Sequence, residues 1–580
     1  MKRIFALLLA LLMCAGLLAG CGGNGEENPS SEPTQSGDPT TAPSYEAPTD
    51  TAEPDEIELP LTEEDVTFDY WLPNGSSFED FNTYDDNTFY QWMEERTGVH
   101  LNFSHPASGS ERENFQTMVL SADYPDFIQS VKNYYDGGVD KAISDGVIRA
   151  LNDYVDQYMP HYRAKVYETE EVFVQSISDQ GNLWGIHNMI SEGQGAWIGL
   201  GIREDWLGDA GMTVEDVSTI QGYHDALVAF KNYTYDNEGP LELSSGGFQN
   251  GGGVNGSWNV TSVNFNNSGI MNVNGTATYS PLAPGFKEYV GTMAEWYAEG
   301  LINTNYVADA AFAIPEDRWV NSEVGSGEFI YTMADMFAAS AATSELQPDP
   351  DFSIVAIATP KQNASDDWST DYHVRNGTPE RVNPSNSMGI STQCADIELA
   401  CRYWDYAWSD EGIHASNWGQ IEGEEGDLGA HYYVDPTDAN GDGNLEVYQP
   451  WMLEKYQNPT YIQTKFCVHN GPTYCIFNRE WCVTPQRLID FTTTWNEVGA
   501  DYMWPASVTL TADEGASASG ILANCNTAVN EWIASVITGA QSVDTYDALV
   551  SSIQSMNIEE AVSYYQAALS RYSDRRQFLD

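Results

Sequence analysis

The chain has 580 residues, room for two to four domains. Its 24 Lys and Arg stand against 86 Asp and Glu, a formal net charge of −62 that argues against recognition of nucleic acid or an anionic membrane through a basic face. With 42% hydrophobic and 12% aromatic residues it can bury a large core and many flat apolar faces, so global disorder is excluded.

In chain order, Lys2 and Arg3 precede an uncharged apolar run from Ile4 to Gly20, too short to span a bilayer and ended by small residues. That pattern is a secretory signal, residues 1–20. Leu18-Ala19-Gly20-Cys21 resembles the lipobox of bacterial lipoproteins, which implies cleavage before Cys21, lipidation of its thiol and a place on the outer face of the bacterial cell membrane. Residues 22–65 hold 13 Asp and Glu, no Lys or Arg, and much Gly, Pro, Ser and Thr. Such a stretch cannot bury enough surface to fold, and 21–61 is expected to be an acidic, extended stalk.

The body opens with an apolar strand, Val66 to Leu72, closed by Pro73-Asn74-Gly75. Phe89, Trp92, Met93 and Arg96 fall at helical spacing, with Asp86 or Asn87 as N-cap and Gly98 past the end. Val99, Leu101 and Phe103 alternate as a strand; Phe115, Met118 and Val119 mark a second helix, and Phe127-Ile128 a third strand. Strands alternating with helices predict crossover connections and a largely parallel sheet, an α/β fold. Residues 222–233 read as a helix, Ser244 to Gly275 as loops or weak strands, and three apolar stripes (Leu522–Val536, Tyr546–Met556 and Ala561–Tyr572) as C-terminal helices.

Six cysteines remain in the body. Cys394 and Cys401, seven apart in a helical pattern, lie about 10 Å apart, too far for a bridge. Cys467, Cys475 and Cys482 flank the turn His469-Asn470-Gly471-Pro472, and their spacing allows pairing within a hairpin. Neither HExxH, nor a GxSxG elbow, nor a Walker A motif occurs. Gly251-Gly252-Gly253-Val254-Asn255-Gly256 matches GxGxxG by letter, but no clear strand precedes it and no helical pattern follows, so a surface loop is the expectation. Among so many carboxylates no pair is singled out as a glycosidase would need. The chain is expected not to be an enzyme.

One metal signal is present. Asp438, Asn440, Asp442, Asn444 and Glu446 occupy positions 1, 3, 5, 7 and 9 of an EF-hand-like loop with Gly443 at the sharp turn. Position 12 is Gln449, not a carboxylate. Structural calcium and a plain polar turn both fit, and no other cofactor is called for.

Several separated segments, in order, resemble the extracellular solute-binding lipoproteins, family 1, of ATP-driven uptake transporters: Phe89–Val99, Leu120–Phe127, Gly137-Gly138, Ala142–Ile148, Leu151–Tyr154, Arg203–Leu207, Tyr279–Leu282, Ile390–Thr392 and Trp408–Gly412. The resemblance covers most of 65–580 and is poorest over about 425–510. It implies a two-lobe periplasmic-binding-protein-like α/β fold with a hinge between the lobes, plus C-terminal helices. Lobe 1 is expected at 62–182 and 386–424, lobe 2 at 183–385 and 425–580. A monomer would capture a sugar or oligosaccharide between the lobes and deliver it to permease subunits of an ABC transporter. A peptide-binding transport lipoprotein, a surface glycoside hydrolase or lyase, and a non-transporting adhesin or sensor are the rivals.

In open α/β sheets ligands sit beyond strand carboxyl ends. That rule nominates Trp71 and Asn74 after the first strand, Tyr134 and Tyr135 after the third, Trp184 in the expected crossing and Trp197 in the loop before Arg203, Asp335 after the Phe329–Tyr331 strand, and Trp418 at the end of the helix after Trp404 and Trp408. Arg203 joins them as one of few cations, and Trp258 as an aromatic in a Gly/Asn/Ser-rich stretch. Aromatic planes bury the C–H faces of a sugar, and Asn, Asp and Arg bond its hydroxyls. Core packing competes for each Trp, above all for Trp92, Trp404 and Trp532 on helical stripes. Related proteins often carry Trp two residues before that Arg; here it is Gly201, which points to a changed ligand set.

Overall fold

The computed structural model describes residues 57–74, 81–192, 195–235, 239–243, 253–263, 268–308, 316–420, 431–434, 437, 446–456, 459–468, 471–476 and 486–579. Among the described residues thirteen strands run in chain order: β1 (Val66–Trp71), β2 (Val99–Ser104), β3 (Phe127–Gln129), β4 (Ile186–Ile190) and β5 (Ile198–Arg203). Then come β6 (Ile270–Val273), β7 (Thr276–Tyr279), β8 (Ser326–Ile330) and β9 (Ile354–Ala356), and finally β10 (Val382–Ile390), β11 (Tyr432–Val434), β12 (Glu446–Tyr448) and β13 (Thr473–Cys475).

Six strands form one sheet in the order β13-β4-β10-β3-β1-β2. Its pairs β1–β2, β1–β3 and β4–β13 are parallel, and β10 runs against both of its neighbours. The expected largely parallel sheet is therefore present with one reversed strand. Side chains alternate across it: Phe68, Tyr70 and Leu72 enter one core with Phe127, Tyr162 and Trp404, while Trp71 enters the core on the opposite face with Ile128. A second sheet has the order β8-β5-β9 and is antiparallel throughout.

Local signals set the helix ends as expected. Helix Thr88–Thr97 starts where Asn87 Oδ1 accepts the Tyr90 N–H and stops at Gly98, left-handed at φ 75°. The C-terminal helices are Ala512–Ile537, Tyr546–Ser555 and Ile558–Asp574; the first begins with a capping box between Thr511 and Glu514 and is followed by left-handed Gly539. They share the largest core with helices Ile220–Phe230 and Phe286–Ala298 and with Leu200 and Ile202 of β5. Trp92, Trp404 and Trp532 are buried, as their stripes predict.

Strand β5 explains the unexpected glycine. Gly199 and Gly201 share one face, where a Cβ would stand 2.4 Å from Trp495 Cδ2 and 2.0 Å from Phe329 Cε1. Those rings, with Trp319 and Phe337, fill the space a side chain at 201 would need. Gly201→Ala should destabilise the protein by about 1–3 kcal/mol through overpacking. Urea unfolding of the variant checks this, and an unchanged midpoint would show that Phe329 yields.

Candidate functional site

The chain passes between the two sheets from β4 to β5 and again from β9 to β10. These passages make few ladder bonds, so side chains satisfy their backbone. Asn376 Oδ1 accepts the N–H groups of Trp197 (3.1 Å) and Ile198 (3.2 Å). Arg375 donates from Nε to the Val498 carbonyl at 2.7 Å and from Nη1 to the Asn376 carbonyl at 2.6 Å. Burial pushes its guanidinium down to about 10. Gln175 Oε1 accepts from the Arg381 and Val382 N–H groups, and Arg381 Nε returns a bond to the Ile190 carbonyl at 3.1 Å.

A third passage is held by charges. Glu380 accepts the N–H groups of Ala506 and Ser507, and Lys132 donates to the Ala506 carbonyl. Burial pushes the Lys132 ammonium down to about 8 and raises the Glu380 carboxyl. Arg575 donates to the Ser507 carbonyl at 3.0 Å and to Asp179 at 2.9 Å, which ties the end of the last helix to the loop before β4.

At the carboxyl ends of β1 and β3 the structure brings four nominated aromatics together. Trp71 and Trp184 are buried in one cluster with Phe115, and Tyr134 and Tyr135 pack against it half-buried. Trp71 Nε1 donates to Asn114 Oδ1 at 2.7 Å, and the Tyr134 ring meets the indole edge-on at 5.8 Å. Trp184 stands edge-on to His187 at 4.8 Å; burial pushes that imidazole down to about 4 and keeps it neutral. Tyr135 donates to Asp145 at 2.5 Å, whereas the Tyr134 hydroxyl has no hydrogen-bond partner among the described residues. Tyr134 is thus the half-buried member of the cluster whose hydroxyl no described side chain engages. Asn74 lies at the same strand end and donates to the Asn82 carbonyl at 3.3 Å.

The other nominees lie apart. Trp197 is half-buried at the start of β5 against the core of Phe329 and Trp495, and Asp335 is exposed in the first turn of helix Met333–Ala342. Trp258, expected in contact with solvent or ligand, is instead 8% exposed in the largest core beside Tyr289, because the segment around it folds as a turn of 3-10 helix rather than a loose loop. Trp418 is buried with Tyr432 in a small cluster of its own. Arg203 is fully buried between the Trp206 and Phe352 rings, 4.5 and 4.2 Å from their centroids, and is engaged by Asp205, Asp349 and Ser322.

Asp438, Asn440, Asp442 and Asn444 lie outside the described residues, as do Cys21 and Cys482; Glu446 begins β12. Among the described residues no group of three His, Cys, Asp or Glu side chains is placed to hold a metal. Cys394, Cys401 and Cys525 are buried free thiols. Sequence reasoning missed Lys132, Gln175, Arg375, Asn376, Glu380 and Arg381. Their task is to bond main chain, which leaves no spacing to recognise.

No protein-family model matches the chain, and no curated protein does. Solved structures do. The alginate-binding protein AlgQ2 without calcium ion matches with 18% identity over 88% of this chain and 99% of its own, TM-score 0.61. The ABC-transporter substrate-binding protein FusA of S. pneumoniae, in complex with kestose, matches with 16% identity over 88% and 99%, TM-score 0.63. An HMO-binding, ABC-transporter-associated solute-binding protein from Bifidobacterium longum infantis ATCC 15697 matches with 14% identity over 87% and 99%, TM-score 0.65. The chain shares its fold with these three binding proteins, in agreement with the resemblance read from its segments.

Replacing Arg203 by Met strands two carboxylates beside a buried apolar site and should cost about 3–5 kcal/mol of stability. Thermal unfolding measures this; a variant as stable as the parent would show that the guanidinium is not a structural hub.

Proposed function

We propose that this chain is the capture component of an ABC uptake transporter. It is exported, held through lipidated Cys21 on the outer face of the membrane, and raised from it by the acidic stalk. It binds an uncharged sugar or oligosaccharide between a lobe built on the six-stranded sheet and a lobe built on the three-stranded sheet, and presents it to permease subunits. The observation that carries this reading is the aromatic cluster of Trp71, Tyr134, Tyr135 and Trp184 at the carboxyl ends of β1 and β3, where an α/β sheet places its ligands. The named carbohydrate binders that share the fold over most of both chains support the same reading.

Capture needs no covalent step. A guest that contacts both lobes has more contacts in the closed form and shifts the population toward it. Tyr134 contributes a ring edge and a free hydroxyl; Trp71, locked by Asn114 and Phe115, keeps that ring in place. A calcium ion held by the 438–446 loop would brace that loop rather than take part in capture.

A protein lacking residues 1–56 should bind an oligosaccharide with 1:1 stoichiometry in calorimetry and gain about 2.7 kcal/mol of stability at ligand concentrations a hundredfold above Kd. Tyr134→Ala should weaken binding about tenfold with little change in the melting temperature of the free protein. A thermal-shift screen that answers to peptides and to no glycan would replace the sugar reading with the peptide one. Release of reducing ends from a polysaccharide would replace it with the enzyme.

A further inference from the structure

The end of β5 farther from the β4–β5 passage carries a cavity. Strand β5 begins beside that passage, with Ile198 paired to Ile330, and ends at Arg203, paired to Ile354. Beyond Arg203 opens a cavity of about 450 Å³ lined by Trp206, Tyr233, Tyr235, Ser322, Gln347 and Asp349 among others. That volume lies within the usual range of small-molecule sites, roughly 300–1,000 Å³.

Its walls hold fixed and free polar groups together. Buried Arg203 fixes Asp349 by a 2.5 Å bond and donates from Nη1 to Ser322 Oγ at 3.2 Å, leaving the Ser322 hydroxyl hydrogen free to donate. Asp349 Oδ1 accepts from the Asp351 N–H at 3.2 Å and keeps lone-pair capacity toward the cavity. The Tyr233 ring leans on Trp206 at 5.8 Å. The Tyr233 and Tyr235 hydroxyls and the Gln347 side-chain amide have no hydrogen-bond partner among the described residues. Two half-buried phenol rings, an amide, a hydroxyl and a pre-oriented carboxylate therefore converge on one space.

We propose that this cavity is a second, separate carbohydrate site that takes a single uncharged sugar ring, with the two phenols against its C–H face and Gln347, Ser322 and Asp349 on its hydroxyls. Charge decides the class. An anion meets Asp349 in a chain of net charge −62, and a cation finds both nearby carboxylates, Asp205 and Asp349, already engaged by Arg203. A neutral polyol satisfies donors and acceptors without either conflict. The site is independent of the one proposed between the lobes and would hold one unit of a long glycan on the outside of the protein.

The test is saturation-transfer NMR of the mature protein with the methyl glycosides of glucose, galactose, mannose, xylose and arabinose as probes. The expected result is saturable binding of at least one probe with Kd below about 10 mM, weakened about tenfold or more in Tyr235→Ala and in Gln347→Ala. Melting temperatures verify that the variants fold; should Tyr235→Ala fall, Gln347→Ala carries the comparison. Three outcomes would each overturn the proposal: no saturable binding by any probe, binding indifferent to both replacements, or equal competition by an uncharged dipeptide.

Discussion

Main-chain groups that leave a sheet must still be bonded, and this requirement shapes the protein where its two sheets meet. Asn376, Gln175, Arg375, Arg381, Glu380 and Arg575 each bond backbone of a passage rather than a partner chosen for charge alone. A passage held by side chains has a definite path without being stiffened by ladder pairing on both flanks. On the proposed function, the bodies built on the two sheets would turn about these passages, each keeping its own core.

The charges at this junction are coupled to one another. Lys132 follows β3, Glu380 precedes β10, and Arg575 closes the last helix; all three converge on Ala506 and Ser507. Tyr572 adds a hydroxyl to Glu380 at 3.3 Å. The last helix thus shares its core with β5 and helix Ala512–Ile537 while its 3-10 extension reaches Asp179, Val174 and Glu170. Val131, one residue before Lys132, belongs to the aromatic cluster that the sugar reading rests on. The helix that carries Lys132, Val131–Tyr134, therefore also carries Tyr134.

Much of the fold was legible in the chain because its signals are local. Asn87 and Gly98 bracket a helix by capping geometry, and the alternation of Phe68, Tyr70 and Leu72 against Trp71 marks a sheet covered on both faces. Trp71, Tyr134 and Tyr135 were nominated at strand ends and Trp184 in the expected crossing; the structure packs the four together. Arg203 and Trp258 show the limit of such nominations. A lone cation and an indole in a polar stretch look like ligand groups until the partners that bury them are known, and those partners, Asp349 and Tyr289, are distant in sequence. The antiparallel order of the second sheet was equally hidden, since β8, β5 and β9 come together from across 198–356.

The central claim is that two bodies close on a sugar about these passages. Spin labels at Leu120, exposed on helix Glu111–Ser121, and at Val228, exposed on helix Ile220–Phe230, report on it, one label for each body. Pulsed electron–electron resonance should give one distance distribution for the free protein and a narrower, displaced one when an oligosaccharide that raises its melting temperature is added. An identical distribution with that oligosaccharide bound would contradict the account.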